Sequence, residues 1–85
     1  MFYVYALKSL VNGDLCIGYC ADLKVRLKRH NDKKIKSTKA YAPWNLVYYE
    51  AYKSEEDARK RERMLKQRGQ AVRRLKERLI NSLEE

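Results

Sequence analysis

The chain is 85 residues long, enough for one small hydrophobic core and too short for a second. A hydrophobic share of 45% sets a disordered chain aside. Twenty Lys and Arg against eleven Asp and Glu leave a net charge of +9, which points to a polyanionic partner, nucleic acid ahead of a membrane surface. The plainer alternative is a solvated basic surface that only keeps the protein soluble. The expected organisation is a single domain over residues 1–85.

Residues 2–8 alternate and are rich in Tyr and Val, as in a half-buried strand, with Tyr3, Tyr5 and Leu7 on one face and Phe2, Val4 and Ala6 on the other. The apolar run that opens the chain is too short to span a bilayer and lacks the basic lead of a signal peptide, so no membrane association and a cytoplasmic location are expected. Asn12-Gly13 is the strongest turn signal, placing a hairpin loop around residues 9–13. Leu15-Cys16-Ile17 forms the second strand. Gly18 closes it and would let a backbone or a phosphate come close. Cys16 and Cys20 on one extended strand would have Cα atoms roughly 13 Å apart, too far for a disulfide, and with His30 as the sole histidine a zinc site is not expected.

Asp22 suits a helix first turn, and Leu23, Arg26, Leu27 and His30 then share one helical stripe, with Lys24, Lys28 and Arg29 on the other sides. Residues 31–44 read as a loop, basic throughout, ending at Pro43. The aromatic-rich run 45–52 reads as a third strand, expected to lie centrally and pack on both faces. Ser54 followed by Glu55, Glu56 and Asp57 starts a helix that is expected to run to about residue 68 and stop at Gly69. On it Ala58, Arg61, Glu62 and Leu65 face inward. A last helix over about 70–83 carries Val72, Leu75, Leu79 and Leu83 as its apolar stripe. The order β-β-α-β-α-α defines a small α/β fold in which a three-stranded sheet is covered by helices.

Polar groups on apolar stripes point to pairing or to chemistry. Arg26 and His30 lie one turn apart, Glu62 shares a face with Ala58 and Leu65, and Tyr5 needs a partner for its hydroxyl if buried. Converging, a cation, an imidazole, a carboxylate and a phenol suit phosphodiester hydrolysis: the carboxylate holds a divalent metal, the arginine offsets phosphate charge, and a basic group prepares water. Periodicity alone reads Arg26 and Glu62 equally well as a structural ion pair, and reads His30 more readily as a helix-dipole partner and Tyr5 more readily as core or sheet surface.

The pattern Tyr3-Val4-Tyr5, ten intervening residues, Cys16-Ile17-Gly18, then Asp22-Leu23-x-x-Arg26-Leu27-x-x-His30 resembles the GIY-YIG nuclease superfamily. The likeness continues through Ser37-Thr38-Lys39, Pro43-Trp44-x-Leu46-Val47-Tyr48-Tyr49-Glu50 and Ala58-x-x-x-Glu62-x-x-Leu65-Lys66. It is strongest to small single-domain bacterial members similar to the GIY-YIG nuclease domain of the bacterial excinuclease. The resemblance implies a three-stranded antiparallel sheet flanked by helices and a DNA endonuclease using Mg²⁺ or Mn²⁺, with DNA repair as the family-level setting. It implies that Tyr5 lies beside the scissile phosphate and attacking water, that Arg26 binds the phosphate, that His30 supports proton transfer, and that Glu62 holds the metal. Cys16 departs from the pattern, standing where members carry a tyrosine assigned to water activation. A thiol ionises more readily, at roughly 8.5 against about 10 for a phenol, but it lacks the ring's reach.

Lys28, Arg29, Lys33, Lys34, Lys36 and Lys39 follow the Arg26 helix, and Lys66 follows Glu62, as contacts for a phosphate backbone. Arg59, Lys60, Arg63, Arg68, Arg73, Arg74 and Arg78 add charge on the C-terminal helices. Tyr41 and Trp44 are candidates for base stacking, Trp44 reading more readily as a core anchor. The expected partner is DNA, with RNA left open, and the expected state a monomer or weak homodimer. The rival reading is a catalytically silent nucleic-acid-binding module of the same fold, which Cys16 favours.

Overall fold

The alternating strand at the N-terminus becomes the middle of the sheet. In the computed structural model, which describes residues 1–67 and 69–84, β1 (Phe2–Ser9) pairs antiparallel with β2 (Leu15–Cys20) on one side and β3 (Trp44–Tyr52) on the other, giving the order β2-β1-β3. Val4, Tyr5, Ala6 and Leu7 are all buried because helices cover both faces of the central strand. The expectation that the third strand lies centrally is corrected: β3 is an edge, and Asn45, Tyr49 and Ala51 along it are exposed. Its aromatic run misled because tyrosines satisfy a half-exposed edge as well as a buried one. The hairpin turns at Gly13, whose φ of 77° a side chain would strain. β2 runs further than expected, so Gly18 lies inside the strand, opposite Tyr5 in the register, and does not close it.

One face of the sheet packs Val4 against Ala58, Leu65, Leu75 and Leu79 of the C-terminal helices. The other packs Tyr5, Leu7, Cys20 and Trp44 against Leu23 and Leu27 of α1 (Leu23–Asn31). Asp22 caps α1, its Oδ1 accepting the Val25 N–H at 3.1 Å. At the other end Lys33 takes a φ of 60°, and the N–H groups of Lys33 and Lys34 donate to the carbonyls of His30 and Arg29. That is the Schellman arrangement, with a lysine in the place glycine favours.

The loop 31–44 holds one short 3₁₀ turn, Lys39–Tyr41, and side chains fasten the rest. Asn31 grips both backbone groups of Trp44, its Oδ1 accepting at 2.6 Å and its Nδ2 donating at 3.1 Å. The Trp44 indole donates to the Thr38 carbonyl at 3.0 Å, and the Ser9 hydroxyl donates to the Tyr41 carbonyl at 2.6 Å. Trp44 is therefore a buried anchor and unavailable for stacking, whereas Tyr41 is exposed.

Ser54 precedes α2 (Glu55–Gln67), and Ala58 and Leu65 are its buried residues. Gly69 does not act as a stop: it is the first residue of α3 (Gly69–Arg78), consistent with glycine's tolerance at helix starts as well as past their ends. Arg68, the expected helix end, lies outside the described residues. The expected last helix is interrupted at Leu79, whose N–H is shared between the carbonyls of Leu75 and Lys76, before α4 (Ile80–Glu84). The apolar stripe largely survives the break: Leu75 and Leu79 are buried and Leu83 packs on them, while Ala71, not the expected Val72, joins the core from the first turn of α3. Across the sheet Arg61 of α2 clamps Glu50 of β3, its Nε donating to both carboxylate oxygens at 3.0 and 3.2 Å and an Nη donating at 3.0 Å. The hydroxyls of Tyr48 and Tyr52 donate to the same carboxylate. No helix among the described residues is long and apolar enough to cross a membrane.

Candidate active site

The site is built around the hydroxyl of Tyr5. β1 places this side chain on the α1 face, where it is only 2% exposed. Its ring lies over Gly18 of the neighbouring strand, and a Cβ there would overlap the ring and the hydroxyl. The absent side chain thus admits a tyrosine, where the sequence suggested a backbone or a phosphate. Two groups from the inward stripe of α1 meet the hydroxyl. Arg26 Nε donates to it at 3.2 Å, and His30 Nε2 lies 2.9 Å away, the two rings meeting edge-on. His30, 2% exposed, is held at its other nitrogen, where Nδ1 lies 2.8 Å from the hydroxyl of buried Thr38.

Burial and charge set the protonation states. Burial raises the Tyr5 phenol above its ordinary value, although the hydrogen bond and charge of Arg26 pull the other way. His30 is lowered, first by burial and then by the Arg26 charge, so the imidazole is neutral at pH 7. Arg26 is bonded through Nε alone, which leaves its two Nη groups without a partner among the described residues.

Glu62 lies half-buried on α2 and, among the described residues, makes no hydrogen bond or ion pair with Tyr5, Arg26 or His30. Its charge raises the thiol of Cys16 on β2, while those of Lys66 and Arg26 lower it. Burial is the largest influence on that thiol and raises it. One Glu62 oxygen pairs with Lys66 at 3.2 Å. Among the described residues Arg26 and Glu62 form no ion pair; two arginines of α2 do pair, Arg61 with Glu50 and Arg59 with Glu55.

A family model described as the GIY-YIG catalytic domain matches residues 1–76. The chain belongs to the GIY-YIG family. Its similarity to UPF0213 proteins places it in a small branch of that family. It is 40% identical over 67 residues to a UPF0213 protein of Streptococcus agalactiae serotype V, covering 78% of this chain and 75% of the relative. It is 38% identical over 65 residues to one of Staphylococcus aureus, covering 75% of this chain and 78% of the relative. The solution NMR structure of a UPF0213 protein from Bacillus halodurans superposes with a TM-score of 0.55 at 35% identity, covering 95% of this chain and 84% of that one. The GIY-YIG domain is typically a nuclease fold that binds nucleic acid and generally uses divalent metal ions.

Against that pattern the two signature triplets meet across the β1–β2 ladder at one pair, Tyr5 opposite Gly18, while Tyr3 lies opposite Cys20 and Cys16 opposite Leu7. Tyr19 is no replacement for the tyrosine missing at Cys16. It points to the helical face, donates to Glu55 at 2.6 Å and lies under the guanidinium of Arg59. The basic residues Lys28, Arg29, Lys33, Lys34, Lys36, Lys39 and Lys66 are all exposed, Lys28 pairing with Asp32. Periodicity could not reach Thr38, which lies in an irregular loop. Its only signal was a small hydroxyl residue inside the Ser37-Thr38-Lys39 stretch, where a solvated loop needs none buried.

Proposed function

We propose that the protein is a metal-dependent endonuclease that hydrolyses phosphodiester bonds in DNA. The observation that carries the reading is the Tyr5 hydroxyl, joined to Arg26 Nε and His30 Nε2 while the Nη groups of the arginine have no partner among the described residues. A half-buried arginine without a counter-ion is costly unless an anion arrives to meet it. A phosphate meets that requirement, and the lysines of the loop after α1 supply sequence-independent contacts to its neighbours.

The side chains present fit the implied metal in one way only. Among the described residues no group of three His, Cys, Asp or Glu side chains forms a metal cage. Glu62 offers one carboxylate, with one oxygen on Lys66 and the other without a partner among the described residues. Mg²⁺ suits such a site, because it keeps several waters and is held by one or two carboxylates together with substrate phosphates. Glu62 would hold Mg²⁺ or Mn²⁺. When bound, the ion supplies Lewis-acid polarisation of the phosphate. Arg26 orients the phosphate and offsets its growing charge, Tyr5 orients the attacking water, and His30 assists the proton transfer.

Purified protein is expected to nick supercoiled or branched DNA with Mg²⁺ or Mn²⁺, and Glu62→Ala to lose this activity without losing the fold. Nicking that persists in Glu62→Ala would sink the assignment. A second reading rests on Cys16: a half-buried thiol in place of a phenol suits a module that binds nucleic acid without cutting it. Salt-sensitive binding by the wild type with no cleavage under any divalent ion is the result that selects it.

A further inference from the structure

We infer that Thr38 is a positioning residue that fixes His30 as the Nδ1–H tautomer, so that the free Nε2 accepts the Tyr5 proton during hydrolysis. The inference rests on the nuclease reading for its chemistry and on hydrogen-bond geometry for its direction. Arg26 has donors and no acceptor. It therefore takes a lone pair of the Tyr5 oxygen and leaves the phenolic proton needing a partner of its own. His30 Nε2, at 2.9 Å, supplies that acceptor. A neutral imidazole that accepts at Nε2 carries its proton at Nδ1, and that nitrogen lies 2.8 Å from Thr38 Oγ1. The Thr38 hydroxyl can accept there, since its own proton can turn to the Ile35 carbonyl, 3.5 Å away.

Thr38 is itself held. Its carbonyl accepts from the Trp44 indole and from the Tyr41 N–H, and its N–H donates to the Ile35 carbonyl. The hydroxyl, 5% exposed with its residue, is thus presented to the imidazole by a loop segment that cannot easily turn away. The opposite tautomer would direct Nε2–H at the Tyr5 oxygen, which already accepts from Arg26, and would strand the phenolic proton.

In the forward step the water oxygen forms a bond to phosphorus and the bond from phosphorus to the leaving oxygen breaks. As it does so, the water gives a proton to the Tyr5 oxygen, while the phenolic proton passes to His30 Nε2 and leaves an imidazolium whose Nδ1–H stays on Thr38. The leaving oxygen takes a proton from solvent, and His30 then returns its proton through Tyr5 to solvent. Protons balance, and no oxidant or reductant is involved.

His30 is the sole histidine of the chain, so long-range ¹H–¹⁵N NMR reads its tautomer without overlap. The wild type is expected to show a protonated Nδ1 and an unprotonated Nε2. Thr38→Val, which keeps the shape and removes the acceptor, is expected to give a mixture of tautomers and about a hundredfold slower single-turnover cleavage. Thr38→Ser is expected to restore the wild-type spectrum and a rate within about threefold of wild type, which a purely space-filling role would not require. An Nε2–H tautomer in a wild-type protein that cuts DNA overturns the proton path alone, and this result needs no variant to fold. Thr38→Val with an unchanged spectrum and rate overturns it as well. A wild type that cuts nothing overturns the nuclease reading and the path together.

Discussion

Two arginines sit on opposite faces of the same small sheet, and their surroundings differ in kind. On the helical face Arg61 is clamped by Glu50, whose carboxylate also accepts from Tyr48 and Tyr52. In that network the cation has its anion. On the α1 face Arg26 meets only a neutral phenol, which in turn meets a neutral imidazole. Both networks use tyrosine hydroxyls and a guanidinium; only one contains an anion. The closed network holds α2 on β3, whereas the open one keeps a positive charge pointed at whatever enters the site. Helical periodicity lends Arg26 and Arg61 equal standing, each on the inward stripe of its helix, and the counter-ion tells them apart.

The sharpest way to break the comparison is to truncate each arginine. Arg26→Ala is expected to lower cleavage at least about a hundredfold, as for loss of a donor that meets developing charge, and to change stability by no more than about 1 kcal/mol. Arg61→Ala should do the reverse, leaving Glu50 half-buried without its cation at a cost of about 2 to 4 kcal/mol, with cleavage kept wherever the protein is folded. Urea unfolding and single-turnover cleavage on both variants check this. Equal losses in both measurements would erase the distinction.

Acid should separate the two faces next. His30 is held below its ordinary value of 6.5 by burial and by Arg26, and the other ionisable group facing it is Tyr5. Burial alone would raise Glu50, but the hydrogen bonds of Arg61, Tyr52 and Tyr48 outweigh it and hold the carboxyl below its ordinary 4.5. The same carboxylate, after burial, helps push the Tyr52 phenol up to about 12. Both His30 and Glu50 are depressed on folding, so the unfolded chain takes each proton first as pH falls. Stability is intact above the unfolded values and drains in two windows, one opening near 6.5 for His30 and one near 4.5 for Glu50. Urea unfolding followed from neutral to acid pH should show both losses, with His30→Gln removing the upper one and Glu50→Gln the lower.

Much of this was legible in the chain because its stripes are clean. Leu23, Arg26, Leu27 and His30 do face the sheet, and so do Ala58, Arg61, Glu62 and Leu65. The alternation in residues 2–8 correctly divides Tyr5 from Val4, hence the site from the helical core. What escaped has a common cause: it depends on contacts distant in sequence. β3 is as apolar as a central strand, and only its pairing shows that β1 took that place. Gly18 reads as a strand end until Tyr5 is seen lying across it. Thr38 belongs to no periodic element at all, and its burial follows from Trp44 and His30 closing on it from either side.

Strain gives the smallest contrast between the faces. Lys33, at the end of α1, is the one non-glycine residue among those described with positive φ, and the described residues of the C-terminal helices carry none. A left-handed lysine costs about 1 kcal/mol, and glycine would fit the Schellman position without that cost. A lysine kept there is explained if its exposed ammonium meets a phosphate. Lys33→Gly should therefore raise stability by about 0.5 to 1 kcal/mol. It should also weaken nucleic-acid binding uniformly across sequences and flatten the log–log salt dependence by about one unit. Urea unfolding and binding titrations at several salt concentrations measure the two effects independently. A gain in stability with an unchanged salt slope would remove Lys33 from the phosphate track and leave its backbone strain without a functional reason, which would weaken the view that the α1 face alone is shaped by its ligand.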